Sequence, residues 1–176
     1  GVTVMGELGF AASFVAAPVI AITGTNGKST VTTFTGDILK HAGFKVFVGG
    51  NLGTPLSQLV TSGEVVDFVV VEVSSYQMER PGGFAPKVGA LLNLTPDHLK
   101  RHGSIENYGR CKFQLFANMP VGSVGLLPDH EPLIDRLAEA SPHVKWARAS
   151  QDYAVVDDRL EVAIDAMNAQ VSLQSL

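Results

Sequence analysis

The sequence predicts an α/β fold: a mostly parallel, doubly wound sheet with a phosphate loop, and antiparallel strands toward the C-terminus. Three observations carry that expectation. The apolar run Val19 to Ile22 passes at once into two glycines and then into a helical pattern. Further short apolar runs alternate with helical or turn-rich stretches as far as Leu127, as parallel strands with crossover connections require. From Val144 onward the helical stretches cease and short strand-like runs follow one another.

Taken in order, residues 1–17 read as a lead-in, with a short strand from Val2 to Met5 and a small-residue helix around Glu7 to Val15. The strand at Val19 to Ile22 feeds a helix in which Val31, Phe34, Ile38, Leu39 and Ala42 share one face, and Gly43 stands where a terminal glycine belongs. Lys45 to Val48 is a second strand, followed by Gly49-Gly50-Asn51-Leu52-Gly53, with Thr54 as helix cap and Pro55 at the first helical position. Asp67 to Val73 is the clearest central strand and leads through Ser74 to Glu79 into a short helix. Val88 to Leu94 makes a fourth strand. Ser104 caps a helix whose apolar stripe holds Ile105, Tyr108, Leu115, Phe116 and Met119. Val124 to Leu127 makes a fifth strand, and Asp129 and Pro132 open a helix to Ala140. The short runs Val144 to Trp146, Tyr153 to Val156, Leu160 to Ile164 and Val171 to Leu173 read as an antiparallel edge on the parallel sheet, with a hairpin turn at Asp157-Asp158-Arg159.

Composition bounds the function. A chain of 176 residues, 45% hydrophobic, can bury one core, and one domain is the expectation. A net charge of −4 without a basic run argues against nucleic acid or an anionic membrane as partner. The single cysteine, Cys111, excludes an internal disulfide and suits a reducing compartment, so a cytoplasmic protein is expected.

The chemistry concentrates after strands. Gly24-Thr25-Asn26-Gly27-Lys28-Ser29-Thr30 places backbone N–H groups and a positive helix end where an anion can dock. Lys28 offers a point charge for β- and γ-phosphates, and Ser29 or Thr30 offers a hydroxyl to magnesium. The loop is two residues shorter than the strict phosphate-loop pattern, which would need glycine at Ile22. The plainer reading is a glycine turn with a solvated lysine. Asn51 is either a ligand contact or a turn residue. Glu72, alone in an apolar strand, is either in a salt bridge or on magnesium. His98 lies beyond the next strand end, on the same expected edge as Lys28 and Glu72. Lys112 falls four residues after Tyr108 and four before Phe116, so it points inward, either snorkelling or reactive.

At these residues the chain resembles the Mur ligase superfamily, ATP-dependent enzymes that form amide bonds in peptidoglycan synthesis, with folylpolyglutamate synthase relatives. Thr23-Gly24-Thr25-Asn26-Gly27-Lys28-Ser29-Thr30 carries the likeness, and Gly49-Gly50-Asn51-Leu52-Gly53, Glu72-Val73-Ser74-Ser75-Tyr76-Gln77 and Asp97-His98 point to its D-glutamate-adding branch. The resemblance implies ATP and Mg2+ as cofactors, and UDP-N-acetylmuramoyl-L-alanine and D-glutamate as substrates. It implies that Gly24 to Thr30 bind ATP, with Lys28 on the β/γ-phosphates. Ser29 and Glu72 would hold one magnesium; His98 and Lys112, the latter as a carbamate, would serve a second. Lys28, His98 and Lys112 would be catalytic, Asn51 and Ser74 would lie along the UDP-muramoyl substrate, and Asp97 and Tyr108 would support the site. It further implies that residues 18–176 are a central ATP-binding domain, truncated at its C-terminus. N- and C-terminal domains of the parent would be missing, and the fragment would not turn over by itself. Pro96 and Asp129-His130 depart from the family pattern. Two rivals stand beside this reading: another member of the superfamily, and a nucleotide-binding module without ligation chemistry, for which His98 and Lys112 would be dispensable.

Overall fold

A computed structural model of the chain describes residues 4–51, 53–148, 153–156, 159–164 and 167–172. Six parallel strands form one sheet: β1 (Val19–Thr23), β2 (Val46–Gly50), β3 (Phe68–Glu72), β4 (Val88–Leu91), β5 (Val124–Leu127) and β6 (Lys145–Arg148), in the order β2-β3-β1-β4-β5-β6. The helices are α1 (Glu7–Ala12), α2 (Lys28–His41), α3 (Leu56–Ser62), α4 (Leu99–His102), α5 (Ile105–Ala117) and α6 (Pro132–Ala138), with a 3-10 turn at Gln77–Glu79.

Strand order decides where the helices go. The step from β1 to β2 runs one way across the sheet, and every later step runs the other way. Right-handed crossovers then place α2 on one face and α3, α5 and α6 on the other. The alternation of side chains agrees: Ile22, Val70 and Ala90 pack with Val31 and Leu39 of α2, while Val19, Ala21, Val69, Val71 and Leu91 join Leu56, Phe116 and Ile134 on the opposite face. The connections leaving β1 and β4, which are neighbours, diverge to opposite faces. The crevice between their C-terminal ends is therefore the switch point of the sheet, where folds of this type bind ligands.

Several local expectations change. Val4 and Met5 are not in a strand, and Val2 and Thr3 lie outside the described residues. On α2, Phe34 and Ile38 are 58% and 45% exposed, while Thr32 and Gly36 face inward. Gly36 abuts Val48, so close approach to β2, rather than the bulkiest side chains, sets the buried stripe. The end of α2 is as expected: Gly43 N–H bonds Lys40 O and Phe44 N–H bonds Leu39 O, the paired closure that a glycine terminus allows. The cap of α3 shifts by one residue to Pro55, because the Thr54 carbonyl is taken by Gly50 N–H at 2.8 Å. Ser104 caps α5 as expected, accepting from Asn107 N–H.

The C-terminal expectation needs a larger correction. Lys145–Arg148 pairs in parallel with β5 and extends the main sheet, so no antiparallel edge is added there. The antiparallel strands β7 (Tyr153–Val156), β8 (Arg159–Ile164) and β9 (Met167–Ser172) form a separate three-stranded sheet. Asp157 and Asp158 of the expected hairpin turn, and Leu173 of the last expected strand, lie outside the described residues. Among the described residues, no helix is long and apolar enough to cross a membrane.

Candidate functional site

Register brings the strand ends level: Ile22 and Gly50 both pair with Glu72, and Thr23 pairs with Leu91. The loops that leave these positions converge on one edge. The first, Gly24 to Gly27, turns directly into α2. Gly27 caps that helix at φ +81, in the left-handed region that costs other residues about 1–2 kcal/mol. The cap has no side-chain bond, and the first turn has no acidic residue. The free N–H groups there, with the helix dipole behind them, make a positive site for an anion. Lys28 Nζ donates to Thr25 O at 2.9 Å, so its ammonium lies back along the loop. Asn26 and Thr30 are exposed, whereas Gly24 and Thr25 are buried.

Glu72 is 3% exposed and joins two of the loops. One oxygen accepts from Ser29 Oγ at 2.6 Å, and the other from Asn51 Nδ2 at 2.9 Å. Both are neutral donors, so no cation balances this carboxylate through those bonds. The salt-bridge reading of Glu72 is thus not what the geometry shows. Ser74 has a different environment: its N–H and Oγ both donate to Gln77 Oε1, bracing the 3-10 turn.

Lys112 is 1% exposed, which removes the snorkelling reading. From α5 its Nζ donates to Gly24 O at 2.7 Å and lies 4.6 Å from the Tyr108 ring centroid, a cation–π contact. Burial pulls its ammonium down to about 8, and the nearby Lys28 charge adds to the effect; Cys111, Asp97 and Glu72 oppose it. Tyr108 is itself buried beneath the loop, and burial raises its phenol against a hydrogen bond from Thr25.

His98 reaches this edge from the segment after β4. Its backbone is left-handed at φ +50, with Asp97 Oδ1 accepting its N–H at 2.7 Å. The ring faces Tyr76, whose hydroxyl lies 3.2 Å from Nδ1, while Nε2 lies 3.5 Å from Asp97 Oδ2. The ring stands 6.2 Å from that of Tyr108, so Tyr108 separates His98 from Lys112. The expected residues therefore gather as two halves, Ser29, Asn51 and Glu72 on one side of the loop and Asp97, His98, Tyr108 and Lys112 on the other. Among the described residues, no group of three or more His, Cys, Asp or Glu side chains is placed to hold a metal by itself.

The sequence reading gave no role to Asn93 and Thr95, which hold the phosphate loop from β4. Asn93 Oδ1 accepts from Thr25 N–H and Asn26 N–H, and Thr25 Oγ1 exchanges bonds with Thr95. Their position just past a strand end on the same edge was the available signal. His102, hydrogen-bonded to Ser75 Oγ and set against Tyr108, was also missed.

Fold and site together define a doubly wound α/β domain with a phosphate-type loop at its switch point. The family model described as the Mur ligase middle domain matches residues 22–172, and the chain belongs to that family. It is 45% identical over 164 residues to the UDP-N-acetylmuramoylalanine--D-glutamate ligase of Desulfotalea psychrophila, across 92% of this chain and 36% of that protein. With the enzyme of the same name from Geotalea uraniireducens it shares 51% identity over 132 residues, 75% of this chain and 29% of that protein. The chain thus spans about a third of the length of these relatives. Among solved structures, Escherichia coli FolC in complex with DHPP and ADP superposes with a TM-score of 0.68 at 17% identity, over 96% of this chain and 53% of that one. MurF ligase from Thermotoga maritima in complex with ADP gives 0.64 at 18% identity, over 94% and 43%. These two likenesses show the fold.

Proposed function

We propose that the parent of this chain is an ATP-dependent ligase that adds D-glutamate to UDP-N-acetylmuramoyl-L-alanine, and that residues 18–176 are its central ATP-binding part. The observation that carries the reading is 45% identity sustained across 92% of the chain with a D-glutamate ligase. The Gly24–Thr30 loop and its uncapped helix end supply the anion site that ATP phosphates need. Two proteins of this fold solved with ADP support an adenine nucleotide as the ligand. A cytoplasmic setting suits both nucleotide substrates.

Magnesium fits the residues present. It keeps most of its waters and takes one or two protein oxygens. Ser29 Oγ and the Glu72 carboxylate, 2.6 Å apart, offer that set beside Lys28. When bound, the metal would draw charge from the phosphoryl oxygens. Lys28 places its ammonium against the γ-phosphoryl group as the substrate carboxylate attacks it, breaking its bond to the β-phosphate oxygen and giving an acyl phosphate and ADP. The amino group of D-glutamate then displaces phosphate, and the loop N–H groups hold the charge that develops. Asn51, tied to Glu72, and Ser74 line the path of the UDP-muramoyl substrate. Asp97, His98 and Tyr108 shape the side where the acyl phosphate forms. Burial of Lys112 leaves about a tenth of it as free amine at pH 7, the form that takes up CO2 to become the carbamate that the family resemblance assigns to it.

Phosphate release by the full parent tests this, with ATP, magnesium, UDP-N-acetylmuramoyl-L-alanine and a panel of amino acids. Release dependent on D-glutamate is expected. Release with another acceptor moves the parent elsewhere in the family. ATP binding without release under any acceptor would favour the binding module. The 176-residue chain alone is expected to bind ATP and not to ligate.

A further inference from the structure

One side chain, from a strand end far away in sequence, makes three hydrogen bonds to the crest of the phosphate loop. Thr25 and Asn26 form the crest between Gly24 and Gly27, and glycines on both sides leave that crest with wide backbone freedom. Asn93 Oδ1 accepts from Thr25 N–H at 3.0 Å and from Asn26 N–H at 2.9 Å, and Asn93 Nδ2 donates to Asn26 O at 3.0 Å. Thr25 N–H is shared with Asn93 main-chain O at 3.1 Å. Both acceptor sites of the carboxamide and one of its donors are used, which no other side chain of that size reproduces. Aspartate would lose the donor; alanine would lose all three side-chain bonds and keep the main-chain one to Thr25 N–H.

The segment that delivers Asn93 is itself anchored. Leu94 is buried against α5, where a Cβ on Gly109 would come within 2.9 Å of Leu94 Cδ2. Leu92 lies so close to Gly24 that a Cβ there would meet Leu92 Cβ at 3.1 Å. Thr95 N–H and O both bond Thr25 Oγ1, at 3.0 and 3.1 Å. Residues 92–95 therefore grip the loop at its base, crest and side chain, with Leu94 anchoring the segment in the core.

We propose that Asn93 is a positioning residue: its carboxamide sets the Thr25–Asn26 crest, so that the N–H groups from Gly27 to Ser29 are already arranged when a polyphosphate arrives. Without it, binding must order the crest first, and affinity for the β- and γ-phosphates falls. The link to ATP rests on the function proposed above; the control of loop shape does not.

The test uses the 15N-labelled chain, with amide exchange and with titrations of Mg-ATP and AMP. In Asn93→Ala, exchange at Asn26, whose N–H bonds the side chain, rises at least about tenfold, while Thr25, which keeps the main-chain acceptor, changes less and the amides of β1, β3 and β4 keep their protection. Affinity for ATP falls at least about tenfold, while AMP, which lacks the outer phosphates, changes less than about twofold. Asn93→Asp retains both acceptor bonds and restores protection of the two amides, and this variant carries the test should the alanine form fail to fold. Unchanged exchange at Asn26 in the alanine form, or equal losses for ATP and AMP, would overturn the proposal. So would an aspartate form without that protection. If the unsubstituted chain binds no ATP, the function proposed above fails instead, and the exchange result still decides the role of Asn93 in the loop.

Discussion

Between Gly24 and Thr30 the chain follows a strand end, two glycines and a helix start, all within a few residues of one another, and takes help from outside only at its Thr25–Asn26 crest. Between Leu92 and His98, on the adjoining strand, it takes its shape from partners that are distant in sequence: Thr25 and Asn26 for Asn93, Gly109 for Leu94, Tyr76 for His98. The first segment presents backbone N–H groups and one cation, the Lys28 ammonium. The second presents side chains locked by tertiary bonds. A site of this kind needs both, because phosphates are recognised by the main chain and by charge, whereas the group that reacts with them must be aimed.

The comparison breaks most sharply at Lys28. If the loop supplies charge and the second segment supplies aim, Lys28→Ala lowers ATP-dependent phosphate release by the parent at least about a thousandfold. Thermal stability of the chain should hardly move, since the Lys28 ammonium donates to a carbonyl of its own loop, Thr25 O. A large loss of stability would mean that the loop depends on Lys28 for its shape.

Lys112 joins the two segments, and its burial has a signature in pH. Its ammonium sits at about 8 in the folded chain, against an unfolded value of 10.5. Below pH 8 both states are protonated and the fold carries the whole cost of the buried cation. Between about 8 and 10.5 the folded chain has released a proton that the unfolded chain keeps, so stability rises with pH, by about 3 kcal/mol in total. Denaturant titrations from pH 7 to 10.5 read this gain as the difference from Lys112→Met, because the Cys111 thiol, raised to about 11 by burial, lowers stability above about pH 9 in both chains. In Lys112→Met the gain should be missing; an equal gain in that variant would mean that other groups produce it.

Gly27→Ala tests the locally built side alone. A Cβ at this position meets Leu92 Cδ1 only at 3.7 Å, an ordinary contact, so the cost is that of the left-handed backbone, about 1–2 kcal/mol. Calorimetry of the variant should show that loss, with the sheet unchanged.

The same contrast explains what the sequence made legible. Strand, glycines, Lys28 and Ser29 lie side by side, so local pattern was enough to read the loop. Glu72 was conspicuous because a carboxylate interrupts an apolar strand, and the inward lysine because its spacing matched Tyr108 and Phe116. Asn93 escaped notice because its partners are 67 and 68 residues away and an asparagine past a strand end usually serves a turn. The stripe on α2 was misread because Gly36, which carries no hydrophobic signal, makes the close contact with β2. The edge strand β6 was misread because a short run after the last helix looks the same whether its partner is parallel or antiparallel; only the pairing with β5 decides.

The smallest effect is expected at Tyr76, and it sharpens the account of aim. Its hydroxyl is the hydrogen-bond partner of His98 Nδ1, and its ring also packs edge-on to the histidine. The two nitrogens are not equivalent. If Nδ1 carries the proton and donates to Tyr76, Nε2 keeps a lone pair for a metal or a substrate proton; if Nε2 carries it, that proton turns toward Asp97. Tyr76→Phe keeps the ring and removes the hydroxyl. Since both partners are partly exposed, stability should change by less than about 1 kcal/mol. The population of the two His98 tautomers, read from 15N shifts of the ring in the metal-free chain, should shift away from the Nδ1-protonated form. An unchanged tautomer ratio would mean that Asp97 and the left-handed backbone aim this ring without help from Tyr76.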